Sequence, residues 1–575
     1  MWLSVNVTAA VTTTLALASG TPMSALSDEY LHALWKASPT TASQIGWHQE
    51  GVDGRLDDLS QGARRVRLKF LKDFGRRLGQ APKGDLHSEA DRALLASAVT
   101  LESLELSRIR DYSRRCDVPL DALGQTFFAM VARPYAPLPR RAIDVLSRLD
   151  AVPAYLRAAR AGLTEYVQIY EEAARDDGQG LIEYLRGPLT EAFADSEAEP
   201  KIRASVTRAV AAIEDYLTFV KLELVKKPAG DYRAGAEPYR LRFGPYLQTA
   251  LTPDQVLAAA ERRVAELHVE MARLARLVTP PPKDAAPPMP TDRQLIRTAL
   301  AQIAKEHAQP SQLLAAARES VRTVRAFIVE HKLLTLAEHD NLQIIDTPAF
   351  LRSVLGVAAF DGAPPLEPKL GAFYYITPMP SEWSPEKVEN KLREYNRYMF
   401  ELLTIHEAMP GHYVQFERAN QVQPESRRVL RWVLGSNAYI EGWAVYAQDL
   451  IVDGGYLDGS AKLRLSQAKL ELRAVMNAVL DIRLHTKQLS DEDALRLLTE
   501  EAFQERPEAE QKLRRAKLSV TQLCSYFVGG EAWRALRKRA EAEAGFDARA
   551  FHDRALAAGA VPLTHLDSLI AGATK

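Results

Sequence analysis

Two histidines and two glutamates with metal-site chemistry lie in two neighbouring segments, "TIHEAMPGHYVQF" (404–416) and "NAYIEGWAVYAQDL" (437–450). The first supplies His406, Glu407 and His412, and the second supplies Glu441. In the usual helical metalloprotease motif, histidines at i and i+4 share one helix face and bind zinc, with the adjacent glutamate as base. Here the spacing is i and i+6. A straight helix would turn His412 about 120° from His406 and carry it ~9 Å along the axis, too far for one ion. Pro410 lacks the amide that would bond the His406 carbonyl, and its ring clashes there. Gly411 is the most permissive backbone unit. The pair predicts a break that returns His412 to the ion. Two core histidines beside a helix-ending Pro-Gly is the plainer reading of the same residues.

Glu441 argues against the plainer reading. It shares a helical face with Leu434, Ala438, Ala444 and Val445, and a carboxylate on an apolar stripe is seldom buried unpaired. Two histidines with a later glutamate form an established catalytic zinc set that leaves one position for water.

The elements around these residues read as helix. "SPEKVENKLREYNRYMFELLTIHEAM" starts with Ser384 as N-cap and Pro385 at the first helical position. Its apolar face runs Val388, Leu392, Tyr395, Met399 and Leu402, and then reaches His406. "TPDQVLAAAERRVAELHVEMARLARLV" has Thr252 as N-cap and Gln255 completing a capping box. "GAFYYIT" (371–377), aromatic and bounded by glycine and proline, is the clearest strand. The expected fold is mostly helical, a large multi-helix metallopeptidase-like architecture with one short sheet near the active-site cleft. A strand 371–377 that holds substrate by edge pairing would put Tyr374 or Tyr375 in the cleft.

The chain has 575 residues, more than one core usually serves. The proline-rich "TPPPKDAAPPMPTD" (279–292) reads as a linker or loop between an N-terminal helical half (28–278) and a C-terminal half (293–575) that carries the metal site. Residues 1–27, uncharged and threonine-rich, read as an export signal or a disordered lead. Periplasmic or secreted placement is slightly favoured over cytoplasmic. No segment is apolar enough to be an integral membrane span. A net charge of −1 argues against a nucleic-acid partner. Cys116 and Cys524, the two cysteines, provide neither a cysteine zinc site nor a disulfide framework.

"HEAMPGHYVQ", "EGWAVY", "RAVMNAVLDIRLH" (473–485), "SYFVGG" (525–530) and "PTTASQIGWHQEGVDGRLDDLS" near the start together resemble the bacterial domain of unknown function 885, a zinc-peptidase-like family. Arg483 departs from its pattern, which has a smaller residue there. The resemblance implies one zinc per chain on His406, His412 and Glu441, with Glu407 as the base. A bound zinc lowers the pKa of its water to around 7, and the base takes the proton and delivers it to the leaving amine. The oxyanion needs a further donor, for which Tyr526 and His485 are the candidates, Tyr526 ahead. Asp481 and His485, one helical turn apart, continue a stripe through Arg473 and Asn477. There Asp481 would orient a ligand and Arg473 would hold a substrate carboxylate. The expected activity is cleavage of short peptides. The alternatives are a zinc amidohydrolase or deacylase acting on non-peptide amides, and a helical binding protein without enzymatic activity.

Overall fold

The computed structural model describes residues 22–280, 290–337, 341–348, 352 and 357–572. Most of residues 1–27 and of the proline-rich stretch therefore lie outside the described residues. From Met23 on, the first of these stretches is already helix (Met23–Ala37), with Leu26 and Ser27 buried.

The fold is mostly helical, with one small sheet. α1 (Pro253–Val278) starts as its sequence requires. The Thr252 side chain accepts the Gln255 N–H, and Gln255 reciprocates to the Thr252 backbone, which satisfies amide groups a helix start leaves unpaired. α1 comes just before the proline-rich stretch, yet its buried Leu267, Met271 and Leu274 belong to the same apolar core as the residues of the C-terminal half. The core does not divide at 279–292.

Three strands, β1 (Leu342–Asp346), β2 (Ala358–Asp361) and β3 (Ala372–Ile376), form a sheet in the order β1-β3-β2. β1 runs parallel to β3, and β2 antiparallel. The expected strand is thus the central one, with both edges taken, so it cannot pair with a substrate. Its residues are all buried because both of its faces are covered. Tyr374, with Ala372 and Ile376, points into the main core, whereas Phe373 and Tyr375 join a second cluster built by helices between residues 118 and 224. Period-two alternation makes β3 the seam between the two cores.

The segment expected to form one helix up to the motif is two. α2 (Pro385–Glu394) stops, and Asn396 caps α3 (Arg397–Glu407) by accepting the Tyr398 and Met399 N–H groups. An asparagine that offers its side chain to the backbone competes with helix continuation. The elements that complete the site are α4 (His412–Ala419), α5 (Asn437–Asp453), α6 (Ala461–Thr486), α7 (Arg506–Leu518) and α8 (Cys524–Glu541).

The N-terminal motif "QIGWH" anchors its segment to the loop between β2 and β3. His48 bonds Asp53 through Nδ1 at 2.8 Å and Glu367 through Nε2 at 3.1 Å, and stacks on Tyr135. Burial alone would lower the pKa of His48, but the two carboxylates override it and raise it to about 9. A histidine raised above its unfolded value of about 6.5 contributes stability fully below that pH and loses it as pH rises through its folded value. The stability gap between wild type and His48→Ala should therefore be larger near pH 6 than above pH ~9, by roughly 2 kcal/mol. Denaturant midpoints measured between pH 6 and 10 check this, and a pH-independent gap would refute it.

Candidate metal centre

α3 ends at Glu407, and α4 begins at His412. The chain between them folds back. The Gly411 N–H bonds the Ile405 carbonyl at 2.9 Å, and a Cβ placed on Gly411 would lie 1.8 Å from the His406 oxygen. Glycine is needed here because the backbone passes so close to itself, with φ at an ordinary −65°. The Gly411 carbonyl opens α4 by accepting the Gln415 N–H at 3.1 Å, and one side-chain donor spans the break. Trp443 Nε1–H reaches the Pro410 oxygen at 2.9 Å and the Gly411 oxygen at 3.2 Å, meeting the demand that buried carbonyls be paired.

This break brings His412 to His406. Their rings stand edge to face with centroids 4.8 Å apart. Glu441, on α5, places one carboxylate oxygen 3.6 Å from His406 Nε2 and 3.5 Å from His412 Nε2. One ligand atom from each of the three lies within 4.8 Å of the others. The two carboxylate separations are long for hydrogen bonds. They match the edge of a tetrahedron of donors ~2.1 Å from a common ion, about 3.4 Å. The same Glu441 oxygen and His412 Nδ1 are buried with no hydrogen-bond partner, a costly arrangement unless a cation resolves it at the carboxylate. The donor set suits a divalent zinc. Burial would raise the Glu441 carboxyl, but the two imidazoles hold it far below the usual carboxylate range.

Glu407 adjoins the set. Burial pushes it up to about 7, with the Glu441 charge adding to the shift and His406 and the Phe360 amide opposing it. Phe360 lies on β2, and the Thr377 N–H to Val357 oxygen bond fixes the ladder phase. Phe360 falls at a position not bonded to β3, so its N–H points out from the free edge towards Glu407. β2, too short to be recognised in the sequence, is the strand edge at the site.

Tyr526 reaches the site through glycine packing. A Cβ on Gly442 would meet the Gly529 backbone at 2.4 Å, and one on Gly529 would meet the Ala438 oxygen at 2.0 Å. "EGW" and "FVGG" therefore let α5 and α8 touch backbone to backbone. That contact stacks the Tyr526 ring 6.4 Å from His406. Its oxygen accepts a hydrogen bond from Arg515 at 3.0 Å, and burial raises its pKa to about 12, Glu441 adding to the shift.

Five expected site residues serve the scaffold. His485 is buried. Its Nδ1 accepts the Ala234 N–H at 3.3 Å, and its Nε2 faces the Ala516 and Ser519 carbonyls at 3.1 and 2.9 Å. With both nitrogens engaged by backbone, it has no proton to offer a substrate. Asp481 accepts from Tyr239, Thr521 N–H and Leu523 N–H; it fixes the turn that opens α8 and orients no metal ligand. Tyr375 faces the second core, and Tyr374 is fully buried with its hydroxyl on Thr404 at 3.0 Å, so both tyrosines hold β3 in place. Arg473 lines the cleft, but its charge is spent on Glu394 at 3.0 Å and Glu508 at 2.9 Å.

The cleft beside the ligand set, about 170 Å³, also exposes Lys512 and Arg515 of α7. Sequence reading passed over them because "EQKLRRAKL" looks like an ordinary solvated helix face.

A mostly helical scaffold that holds a half-buried His-His-Glu set beside a carboxylate is thus the class of molecule at hand. Residues 39–570 match the family model described as "Bacterial protein of unknown function (DUF885)", and the chain belongs to that family. A presumed lipoprotein of unknown function from Shewanella oneidensis is 27% identical and superimposes with a TM-score of 0.80 over 96% of this chain and all of its own (100%). A presumed lipoprotein from Colwellia psychrerythraea, 17% identical, has the same fold with a TM-score of 0.77 over 96% of this chain and 98% of its own. No curated protein matches the chain. Among the described residues no helix is long and apolar enough to cross a membrane.

Proposed function

We propose that this protein is a zinc-dependent hydrolase that cleaves peptide bonds in short peptides. The observation that carries the reading is the convergence of His406, His412 and Glu441 across a built helix break, beside a half-buried glutamate. An ion held by these three residues would acidify water and polarise a carbonyl. Glu407 accepts the proton of the attacking water and hands it to the departing amine, and a pKa near 7 suits both transfers. Tyr526 stays protonated at neutral pH. Because its oxygen accepts from Arg515, its own hydrogen remains to meet the developing oxyanion. The outward edge of β2 offers main-chain groups to an extended substrate. Likeness to the Shewanella protein supports placement outside the cytoplasm, periplasmic or secreted.

Metal analysis is the direct test. The purified protein should carry one zinc per chain, and replacing His406, His412 or Glu441 by alanine should reduce that content to background while far-UV circular dichroism is kept. Chelator should abolish hydrolysis of a peptide library, as read by product mass spectrometry. Full zinc retention in all three variants would end the assignment.

A further inference from the structure

Arg473 in the cleft is paired with Glu394 and Glu508, whereas two other cleft cations, Lys512 and Arg515, make no ion pair with a described residue. On α7, Glu508, Lys512 and Arg515 fall at i, i+4 and i+7, one helix face. Glu508 is consumed by Arg473 at 2.9 Å, Lys391 at 3.5 Å and the Tyr395 hydroxyl at 3.0 Å. Lys512 makes no hydrogen bond or ion pair with any described residue, and Arg515 bonds only the neutral Gln522 and Tyr526. Across the cleft Asn477, 5% exposed, has a buried side-chain oxygen with no partner. Burial and the neighbouring Arg515 and Arg473 push Lys512 down to about 7, against the opposing pull of the Glu508 and Glu441 charges. The cleft carboxylate that could instead hold an ammonium, Glu471, is taken by Arg263 at 3.0 Å and Arg534 at 3.1 Å.

We propose that Lys512 and Arg515 bind the free C-terminal carboxylate of the substrate, so that the enzyme is a carboxypeptidase releasing residues from the C-terminal end of short peptides. The proposal rests on the peptidase reading and adds the substrate class. Arg515 lies one hydrogen bond from Tyr526, which itself stacks against His406. A chain spans at most ~3.6 Å per residue, so a carboxylate held there leaves only the last one or two peptide bonds at the ligand set. In the reaction, water adds its oxygen to the scissile carbonyl carbon and the C–N bond breaks. One product gains a carboxylate, and the proton carried by Glu407 completes the released amine.

The test compares N-acetyl-trialanine as free acid and as C-terminal amide. The zinc-loaded wild type should cleave the acid with kcat/KM on the order of a hundredfold above the amide, the value of a charge-assisted contact. Calorimetry with Glu407→Gln, which reads binding without turnover, should show the acid binding at least about tenfold tighter. Adding Arg515→Ala to that protein should narrow the gap, and adding Lys512→Ala together with Arg515→Ala should erase it. Equal cleavage and equal binding of acid and amide would overturn the C-terminal assignment and leave the peptidase reading standing. Failure to bind or cleave either peptide, with cleavage of other amides, would overturn both.

Discussion

Glu407→Gln should lower peptide hydrolysis by about a hundred- to ten-thousandfold while leaving zinc content and fold unchanged. The substitution keeps the shape of the side chain and a carbonyl oxygen that still accepts the Phe360 N–H. It removes the one group at the site that can take a proton from water and carry it to an amine. Glu441 cannot substitute, because two imidazoles hold it ionised at the ligand position. Tyr526 cannot either, because its pKa of about 12 makes it a donor at neutral pH. Single-turnover kinetics with zinc quantified in the same sample separates loss of the base from loss of metal. Activity within a few-fold of wild type would mean that another group activates the water.

The residues nearest in sequence were the most legible. His406, Glu407 and His412 lie within one short segment, and Pro410-Gly411 announces the break between them. Glu441 could be inferred from an apolar stripe that has no other use for a carboxylate. The scaffold residues were misread for a common reason: their partners are remote in the chain. His485 is engaged by Ala234, Ala516 and Ser519, and Arg473 by Glu394 and Glu508. A polar residue on a buried stripe looks the same in sequence whether its partner is a substrate or the backbone of another helix. β3 was recognisable by composition, but its central place depends on β1 and β2. Their short, mixed sequences "LQIID" and "AAFD" carry little signal of their own. Lys512 and Arg515 show the converse. Their significance lies in what they fail to pair with, and no local pattern encodes that.

Gly411→Ala should cost about a hundredfold or more in zinc affinity, although Gly411 binds no metal and its φ is ordinary. The added Cβ would lie 1.8 Å from the His406 oxygen, 2.4 Å from the His406 carbonyl carbon and 2.5 Å from the Ile405 oxygen. All three are backbone atoms in the last turn of α3, so no side-chain rotation can relieve the overlap. Either α3 shifts, and carries His406 and Glu407 with it, or the 408–411 turn opens and displaces His412, the next residue. Trp443 resists the second movement, because its indole N–H holds the Pro410 and Gly411 carbonyls. Zinc sites tolerate ligand displacements of only about 0.2 Å, so either movement separates the pair. Gly79→Ala is the control. Gly79 is exposed near the end of the helix Gln61–Gln80, with nothing within 4 Å of an added Cβ, and its replacement should leave zinc affinity unchanged. Competition with a chromophoric chelator measures both variants. A Gly411→Ala protein that binds zinc as tightly as wild type would show that the break is not what brings the two histidines to one ion.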